Sequence, residues 1–323
     1  MCTYGRNTLV TGSTDRTVRI WNLSTGVCTH VLRGHEATVR CLGIARPEVS
    51  DDGKEKQPGR PLIVSGSRDG TLRVWTLPKP GEESNRLEGT GPEESIGSSN
   101  ESPYLRLLLS GHTSAIRALD VKGRTVVTGS YDTTVRVWDI VTGECKFVFS
   151  GHTQKVYAVV LDLDNQCVFS GSMDTTIRQW SLESGECLNV LDGHTSLVAL
   201  LSLSPQYLVS GSADGTARVW DRSTGVSIHE LSGASAQAGA ITTVYHDDKK
   251  VISGCQGAVR NLLGYSHYLG VWAVACRGQW CVAATHVPSM DSNISVNIWD
   301  FGTGEDDSVP QGDGDSDICD WDE

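Results

Sequence analysis

The sequence lacks a long hydrophobic run. Its longest apolar stretches, such as residues 197–203, are far shorter than the ~18 residues that a membrane-spanning helix requires. Its first ten residues also lack the basic stretch and the apolar run of a secretory signal. From the sequence alone we therefore expect neither a membrane protein nor a secreted precursor.

The sequence also lacks an excess of positive charge. Its 27 Lys and Arg face 39 Asp and Glu, which gives a formal net charge of −12. Nine acids and no base lie in residues 305–323, and six acids with two bases lie in residues 79–102, so the rest of the chain is close to neutral. A basic nucleic-acid-binding surface is not evident. We expect no nucleic acid and no membrane among the partners.

Motifs for cofactors and metals are missing too. No Gly-x-x-x-x-Gly-Lys loop for nucleotide phosphates is present. Of the ten cysteines, Cys276 and Cys281 precede His286, but this spacing is not that of a zinc site. We expect no metal, no cofactor and no small-molecule substrate.

The chain does contain an internal repeat. The segment LVTGSTDRTVRIW at residues 9–21 recurs as IVSGSRDGTLRVW at residues 63–75, and related segments end at Trp138, Trp180 and Trp220. Each unit has an apolar strand, Gly-Ser, a turn with Asp and an alternating strand. The Gly of Gly-Ser recurs at positions 12, 66, 129, 171, 211 and 254. Uninterrupted units are therefore about 40 residues long, with Gly-His pairs between them.

This period, the Gly-His pairs and the Trp-ended strands resemble the WD40 repeat, which builds β-propellers. The resemblance covers roughly residues 8–302. It implies an all-β fold with about seven repeats, the first and sixth incomplete, from an eight-bladed parent. We divide the chain into a propeller at 1–304, with polar loop inserts at 46–60 and 79–102, and an acidic disordered tail at 305–323.

Two repeats deviate from the pattern. The first starts at its second strand, so we expect its first strand to be missing. In the sixth, residues 258–263 read as an outer fourth strand, so we expect the third strand to be absent. A propeller normally closes its ring by pairing strands from the two ends of the chain, so the sequence alone does not decide whether this ring closes.

Every complete repeat carries one His, one Ser or Thr, one Asp and one Trp. This set suggests either a Ser-His-Asp hydrolase or a buried hydrogen-bond network. It recurs in four successive repeats whereas an enzyme needs one site, and the resemblance implies a network inside each blade, so we expect no catalytic residues and no enzyme. The network residues are His35, Ser65, Asp69, Trp75, His112, Thr128, Asp132, Trp138, His152, Ser170, Asp174, Trp180, His194, Ser210, Asp214 and Trp220.

Two positions in each repeat should face one end of the ring: the start of the first strand and the residue before the turn Asp. Basic and aromatic residues occupy these positions, or lie next to them, in the first four repeats. An Arg cluster there would suit a phosphorylated peptide, because guanidinium matches phosphate geometry. Ordinary salt bridges with neighbouring acids are the alternative. The residues are Arg16, Arg40, Arg68, Arg117, Tyr131, Lys155 and Tyr157.

Residues 12–42 and the stretches around Arg68, Tyr131 and Lys155 are similar to the F-box/WD-repeat substrate receptors of SCF ubiquitin ligases, the cell-division-control type. The resemblance implies recognition of a phosphorylated degron, phospho-Thr or phospho-Ser followed by Pro. Arg40, Arg68 and Arg117 match the phosphate-binding arginines of that family. The other basic and aromatic residues match further pocket positions, and Lys155 stands where the family usually has Arg.

The resemblance also implies partners and a location. We expect phosphorylated protein substrates, location in the nucleus, the cytoplasm or both, and a role as the substrate-recognition part of an SCF-type ligase in protein degradation. The chain shows no F-box, so we expect the SCF adaptor to bind only if the full-length product carries one. A generic WD40 scaffold and a truncated product without ligase bridging are the alternative interpretations.

Overall fold

The structure is a computed structural model that describes residues 2–5, 7–46, 60–79, 102–232 and 239–246, and beyond these the strands given below. All regular elements in this described part are β-strands joined by turns. Within it, no helix has the length and hydropathy needed to cross a membrane. The predicted all-β class is confirmed.

The first three sheets are four-stranded and antiparallel. In sheet 2 the strand order is β10-β9-β8-β5, and a two-stranded hairpin, β6-β7, lies inside the insert at 46–60. The strands are β1 (Cys2–Tyr4), β2 (Thr8–Gly12), β3 (Val18–Asn22), β4 (Val27–Leu32), β5 (Val39–Ala45), β6 (Glu48–Val49), β7 (Glu55–Lys56), β8 (Leu62–Ser67), β9 (Leu72–Thr76), β10 (Leu105–Leu109), β11 (Ile116–Lys122), β12 (Thr125–Ser130), β13 (Val135–Asp139) and β14 (Cys145–Phe149).

Sheets 4, 5 and 6 are also four-stranded, and sheet 7 has three described strands. Their strands follow one another in sequence order. They are β15 (Val156–Asp162), β16 (Cys167–Ser172), β17 (Ile177–Ser181), β18 (Cys187–Leu191), β19 (Val198–Leu203), β20 (Tyr207–Ser212), β21 (Thr216–Asp221), β22 (Ser227–Ser232), β23 (Ile241–His246), β24 (Val251–Cys255), β25 (Ala258–Asn261), β26 (Ser266–His267), β27 (Gly270–Arg277), β28 (Trp280–His286) and β29 (Ile294–Asp300).

The first strands of successive sheets β5, β11, β15, β19, β23 and β27 each contact the next in this order, as the blades of a propeller do. Each hydrophobic cluster lies between two sheets rather than within one. Val64 and Leu72 of sheet 2 pack with Ile116 and Val126 of sheet 3, for example. Further clusters join sheets 1 and 2, 3 and 4, and 4 and 5. A single blade could not bury both of its faces, so stacking supplies the core.

The stacking of the blades explains why glycine recurs in the Gly-Ser dipeptide. A Cβ placed on Gly12 would lie 2.6 Å from Val39 Cγ1, and one on Gly129 would lie 2.6 Å from Val156 Cγ1. Both distances are well inside van der Waals contact, so only glycine fits. In each case the neighbour is the first residue of the next blade. The same contact recurs between Gly66 and Ile116, Gly171 and Val198, and Gly211 and Ile241.

Two predictions about the incomplete repeats are wrong. A short first strand, β1, is present in sheet 1, where Cys2 pairs with Val10. In sheet 6 the third position is filled, because β25 pairs with β24 and the two-residue β26 pairs with β25. Backbone pairing needs no Trp or turn Asp, so strands formed where the side-chain pattern was absent. Among the described strands, no hydrogen-bonded pair joins sheet 1 to sheet 7.

Candidate functional site

A β-bulge marks the start of the first strand in every sheet from 2 to 7. In sheet 2 the pairing register shifts between Val39 and Cys41, which leaves Arg40 outside the ladder. A bulge of this kind re-aims a side chain away from the regular alternation of a strand. The bulged residues are Arg40, Arg117, Tyr157, Ala199, Thr242 and Trp272. These are the positions predicted to face one end of the ring, although the side chain of Trp272 lies outside the described residues.

Backbone hydrogen bonds hold the turn before each Asp against these bulges. The amide of Arg68 donates to the carbonyl of Thr38 at 2.9 Å, two residues before Arg40, and the amide of Tyr131 donates to Ala115, two residues before Arg117. The turn of sheet 1 reaches the next blade, because the amide of Val39 donates to Ser13 at 3.0 Å. Arg16, Arg40 and Arg68 are therefore positioned around the same chain segments.

Sequence reasoning missed the serine that locks each turn in place. The hydroxyl of Ser67 donates to the carbonyl of Ala37 at 3.1 Å, and that of Ser130 donates to Ser114 at 3.1 Å. The hydroxyls of Ser172 and Ser212 make the equivalent bonds. The sequence did contain a signal for this contact, because Ser directly follows the repeated Gly in each of these repeats.

Aromatic and basic side chains meet where sheets 3 and 4 adjoin. The rings of Tyr131 and Tyr157 lie 5.2 Å apart, centre to centre. The Arg117 guanidinium lies 5.7 Å from the centre of the Tyr157 ring, and Lys155 Nζ lies 4.9 Å from the centre of the Tyr131 ring. The hydrogen bond that the Tyr157 hydroxyl donates to Tyr131, together with burial, raises the pKa of Tyr157, while Arg117 and Arg40 oppose this. The structure thus brings five of the predicted residues into one neighbourhood.

The basic residues at this end have no carboxylate partner. Among the described residues, Arg16, Arg40, Arg68, Arg117 and Lys155 form no ion pair within 4 Å of an Asp or Glu oxygen. All are exposed except Arg117, which is half-buried. Other arginines of this chain are paired, such as Arg19 with Asp15. The described part of the chain therefore holds a cluster of cations that form no direct ion pair.

Arg16 has a left-handed backbone with φ of 72°. The same turn position holds Gly70 and Gly215 in sheets 2 and 5, and Thr133 and Thr175 in sheets 3 and 4. A side chain in this conformation costs on the order of 1–2 kcal/mol. Arg16 thus occupies a position that favours glycine.

Arg16→Gly should therefore have opposite effects on stability and on binding. We expect a free energy of unfolding higher by up to about 1 kcal/mol, because relief of the backbone strain outweighs the added entropy of the unfolded chain. Binding to an anionic peptide should weaken. Thr175→Gly, which relieves the same strain without removing charge, should stabilise equally and leave binding unchanged. Urea denaturation and peptide titration of both variants measure this, and equal binding losses in the two would contradict it.

The later blades differ in chemistry at the same end. The bulged residue of sheet 5 is Ala199, and Ala213 precedes the turn Asp there. Met173 of sheet 4, whose amide donates to Lys155 at 2.9 Å, is 45% exposed. The surface thus changes from basic and aromatic residues in sheets 1 to 4, where Met173 adds an apolar group, to small residues in sheet 5.

The His, Ser or Thr, Asp and Trp of four blades form closed hydrogen-bond networks. In sheet 4, His152 Nδ1 lies 2.8 Å from Asp174 Oδ2 and His152 Nε2 lies 2.8 Å from Ser170 Oγ, while Trp180 Nε1 donates to the same Oγ at 2.8 Å. The other three blades repeat this geometry with distances of 2.8–3.0 Å.

Within each network the Asp contacts the His and the His contacts the hydroxyl, as in a catalytic triad. The hydroxyl, however, is inaccessible to a substrate. Ser65, Thr128, Ser170 and Ser210 have no exposed surface, and each also accepts a hydrogen bond from a tryptophan. A substrate carbonyl must approach the nucleophile to about 3 Å. The arrangement therefore serves to connect the strands within each blade.

These networks shift the pKa values of their acids. Burial raises the pKa of Asp214, but hydrogen bonds from Thr216, Thr195 and His194 outweigh burial and lower it to about 2. Hydrogen bonds likewise outweigh burial and lower the pKa of Asp69, Asp132 and Asp174. Burial lowers the pKa of His194 despite its bond to Asp214.

We expect the thermal midpoint of unfolding to fall steadily with pH below about 6.5. The unfolded chain protonates His near 6.5 and Asp near 3.9, above the folded pKa values of His194 and of these aspartates. The unfolded state therefore binds more protons, and stability is lost as pH falls, first through His194 and then through the acids. Circular dichroism melts between pH 7.5 and 3.5 measure this, and a midpoint that rises between pH 6.5 and 5 would contradict it.

Comparisons with known proteins agree with this architecture. The family model "WD domain, G-beta repeat" matches residues 3–22, 26–76, 104–139, 143–181 and 185–221, which is more than half of the chain. Among solved structures, the computationally designed Ika8 protein superimposes with a TM-score of 0.67 at 29% identity, covering 93% of this chain and 82% of that one.

Curated relatives match about half of the chain. WD repeat-containing protein pop2 of Schizosaccharomyces pombe is 42% identical over 156 residues, covering 48% of this chain and 22% of that protein. Cell division control protein 4 of Candida albicans is 41% identical over 198 residues, covering 47% and 28%. Its namesake in Saccharomyces cerevisiae is 37% identical over 152 residues, covering 47% and 18%. The matches span less than a third of each relative's length, and they confirm the resemblance to the cell-division-control type. The chain belongs to the WD domain, G-beta repeat family.

Proposed function

We propose that this propeller recognises phosphorylated degrons, phospho-Thr or phospho-Ser followed by Pro, as the substrate-recognition part of an SCF-type ubiquitin ligase. The observation that carries this proposal is the basic surface, defined as Arg16, Arg40, Arg68, Arg117 and Lys155. Within the described residues, none of these side chains has a carboxylate partner. Of the two interpretations of these arginines, ordinary salt bridges therefore have less support.

A phosphate monoester suits this surface in charge and geometry. It carries about −1.5 to −2 charge at pH 7 and three strong acceptor oxygens. Each arginine presents paired donors to such an oxygen cluster, while Lys155 supplies a single point of charge. Arg40 and Arg68 are joined through one hydrogen-bonded segment, and Arg117 begins the next blade.

The tyrosine pair supplies the adjoining apolar surface. The rings of Tyr131 and Tyr157 are half-buried and are held by each other and by the flanking cations. Such rings lose little conformational freedom on binding, so they suit contact with the proline ring that follows the phosphorylated residue. The exposed Met173 extends this surface towards the later blades.

The link to ubiquitin ligases rests on family likeness. The F-box/WD-repeat resemblance of the motifs, and the relatives named Cell division control protein 4, support a role as substrate receptor. We propose the nucleus, the cytoplasm or both as its location on the same basis. In this role the chain binds substrate and performs no chemistry itself.

The decisive experiment is fluorescence anisotropy with a phospho-Thr-Pro peptide and its unphosphorylated twin, each at two salt concentrations. We expect the phosphorylated peptide to bind at least about tenfold more tightly, because each charge-assisted hydrogen bond contributes roughly 1.5–3 kcal/mol. Its affinity should fall as salt rises, since the cations are exposed. Equal, weak binding of both peptides to a chain that circular dichroism shows to be folded would favour a generic scaffold.

A further inference from the structure

The charge of this chain is strongly segregated. Residues 305–323, here called the acidic segment, hold nine Asp and Glu and no Lys or Arg. The basic surface on sheets 1 to 4 is its counterpart, and within the described residues none of its side chains forms an ion pair with a carboxylate. Complementary charges of this size within one chain attract each other at physiological ionic strength once they come within about 8 Å.

We propose that the acidic segment binds the basic surface of its own chain and competes with phosphorylated peptides for it. This regulation rests on the proposed function, since it acts on the same surface. The segment would act as a tethered, weak competitor that a phosphorylated substrate displaces.

The composition of the acidic segment fits the surface beyond its charge. Its last residues alternate acids with apolar side chains, as in Asp317-Ile318 and Asp320-Trp321-Asp322. The basic surface likewise combines charged and aromatic groups, because Arg117 and Lys155 flank the aromatic pair Tyr131 and Tyr157. The insert at 79–102 fits less well, since two bases offset its six acids.

The chain that follows β29 is long compared with a blade. Strand β29 ends at Asp300, and 23 residues follow it. An extended chain spans up to about 3.3 Å per residue, so this length reaches on the order of 75 Å. A seven-residue strand such as β29 spans only about 23 Å from one end of a blade to the other. The tether holds the segment at an effective concentration on the order of 1 mM.

Displacement by substrate follows from charge density. The acidic segment spreads its charges over many residues, and each exposed ion pair it forms is weak and screened by salt. A phosphate concentrates about two charges and three acceptors at one point among arginines. A phosphorylated peptide therefore displaces the acidic segment, whereas an unphosphorylated acidic peptide competes poorly.

The test compares full-length chains. In the first variant all nine acids of residues 305–323 become the matching amides, and in the control variant the six acids of residues 79–102 do. We expect the first variant to bind a phospho-Thr-Pro peptide about fivefold more tightly than the unchanged chain at low salt, since a competitor at about 1 mM effective concentration is removed. The gain should vanish at 0.5 M salt, and the control variant should match the unchanged chain.

A second measurement tests the intramolecular contact independently of the proposed function. A fluorescent peptide of residues 305–323 is titrated into the first variant, with and without Arg68→Ala and Arg117→Ala. Binding that requires both arginines supports the intramolecular contact even if no phosphopeptide preference is found. Where the phosphopeptide binds in preference to its unphosphorylated twin, equal affinities of the unchanged chain and the first variant would overturn the inference and leave the proposed function standing. Labelled-peptide binding that survives both alanine substitutions would overturn the inference in every case.

Discussion

Replacing Arg68 and Arg117 together with alanine should weaken binding of a phospho-Thr-Pro peptide by at least about a hundredfold. Hydrogen bonds to a charged group contribute about 1.5–3 kcal/mol each, and every 1.4 kcal/mol is a factor of ten. Arg68 is exposed at the turn of sheet 2, and Arg117 is the bulged residue of sheet 3, so under the proposed function the two would approach a phosphate from neighbouring blades. Fluorescence anisotropy on the folded variants measures the change.

Matched variants separate phosphate binding from general charge. Arg106→Ala removes an exposed arginine from the outermost strand of sheet 2 and should leave the affinity unchanged. Arg68→Lys keeps the charge but loses the paired donors. Its affinity for the phosphopeptide should therefore lie between that of the unchanged chain and that of Arg68→Ala. A phosphopeptide that bound the double alanine variant as tightly as the unchanged chain would refute this site assignment.

Asp174→Ala should lower the free energy of unfolding by about 3 kcal/mol, the largest effect we expect on stability from one substitution in a network. The carboxylate accepts bonds from His152, from the amide of Thr153 and from both the amide and hydroxyl of Thr176. Its side chain is 7% exposed. Removing it leaves the buried ring of His152 without its partner, which costs about 1–3 kcal/mol, and the more exposed donors of Thr153 and Thr176 add less because water can replace the carboxylate. Chemical denaturation monitored by circular dichroism measures the loss.

The control for this prediction comes from sheet 1. Asp15 occupies the same turn position, but its hydrogen bonds are with Thr17 and Arg19, and its side chain is 43% exposed. Asp15→Ala should therefore cost only about 1 kcal/mol. If the two substitutions destabilised the chain equally, the networks would have no special weight in its stability.

Much of the fold could be predicted from the sequence because each repeat encodes the same local physics. Alternating residues before each Trp specify a strand, and Gly-Ser followed by Asp specifies the turn and its close contact with the next blade. Predictions failed where this pattern stops. Strand β1 and strand β25 pair through their backbones without the repeated side-chain pattern, so the absence of this pattern was a poor guide to their presence.

The candidate site was only partly predictable. Its positions followed from the repeat, since the residue at each strand start and the residue before each turn Asp recur in register. What the arginines do there did not follow, because the sequence does not show whether an exposed Arg has a neighbouring acid to pair with or is left to bind an anion such as phosphate. That choice depends on which side chains other blades bring close, and Arg40 and Tyr157 are more than a hundred residues apart in the chain.

The sequence by itself determined the repeat, the all-β class, the residues of the blade networks and the segregation of negative charge into residues 305–323. These properties depend on side-chain type and spacing along the chain. The tertiary structure alone decided that the networks are closed and inaccessible, and that a bulge lifts Arg40, Arg117 and Tyr157 out of their ladders. It also decided that, within the described residues, no side chain of the basic surface forms an ion pair with a carboxylate. Distances between side chains from different blades are set by how the sheets stack, and no local pattern encodes them.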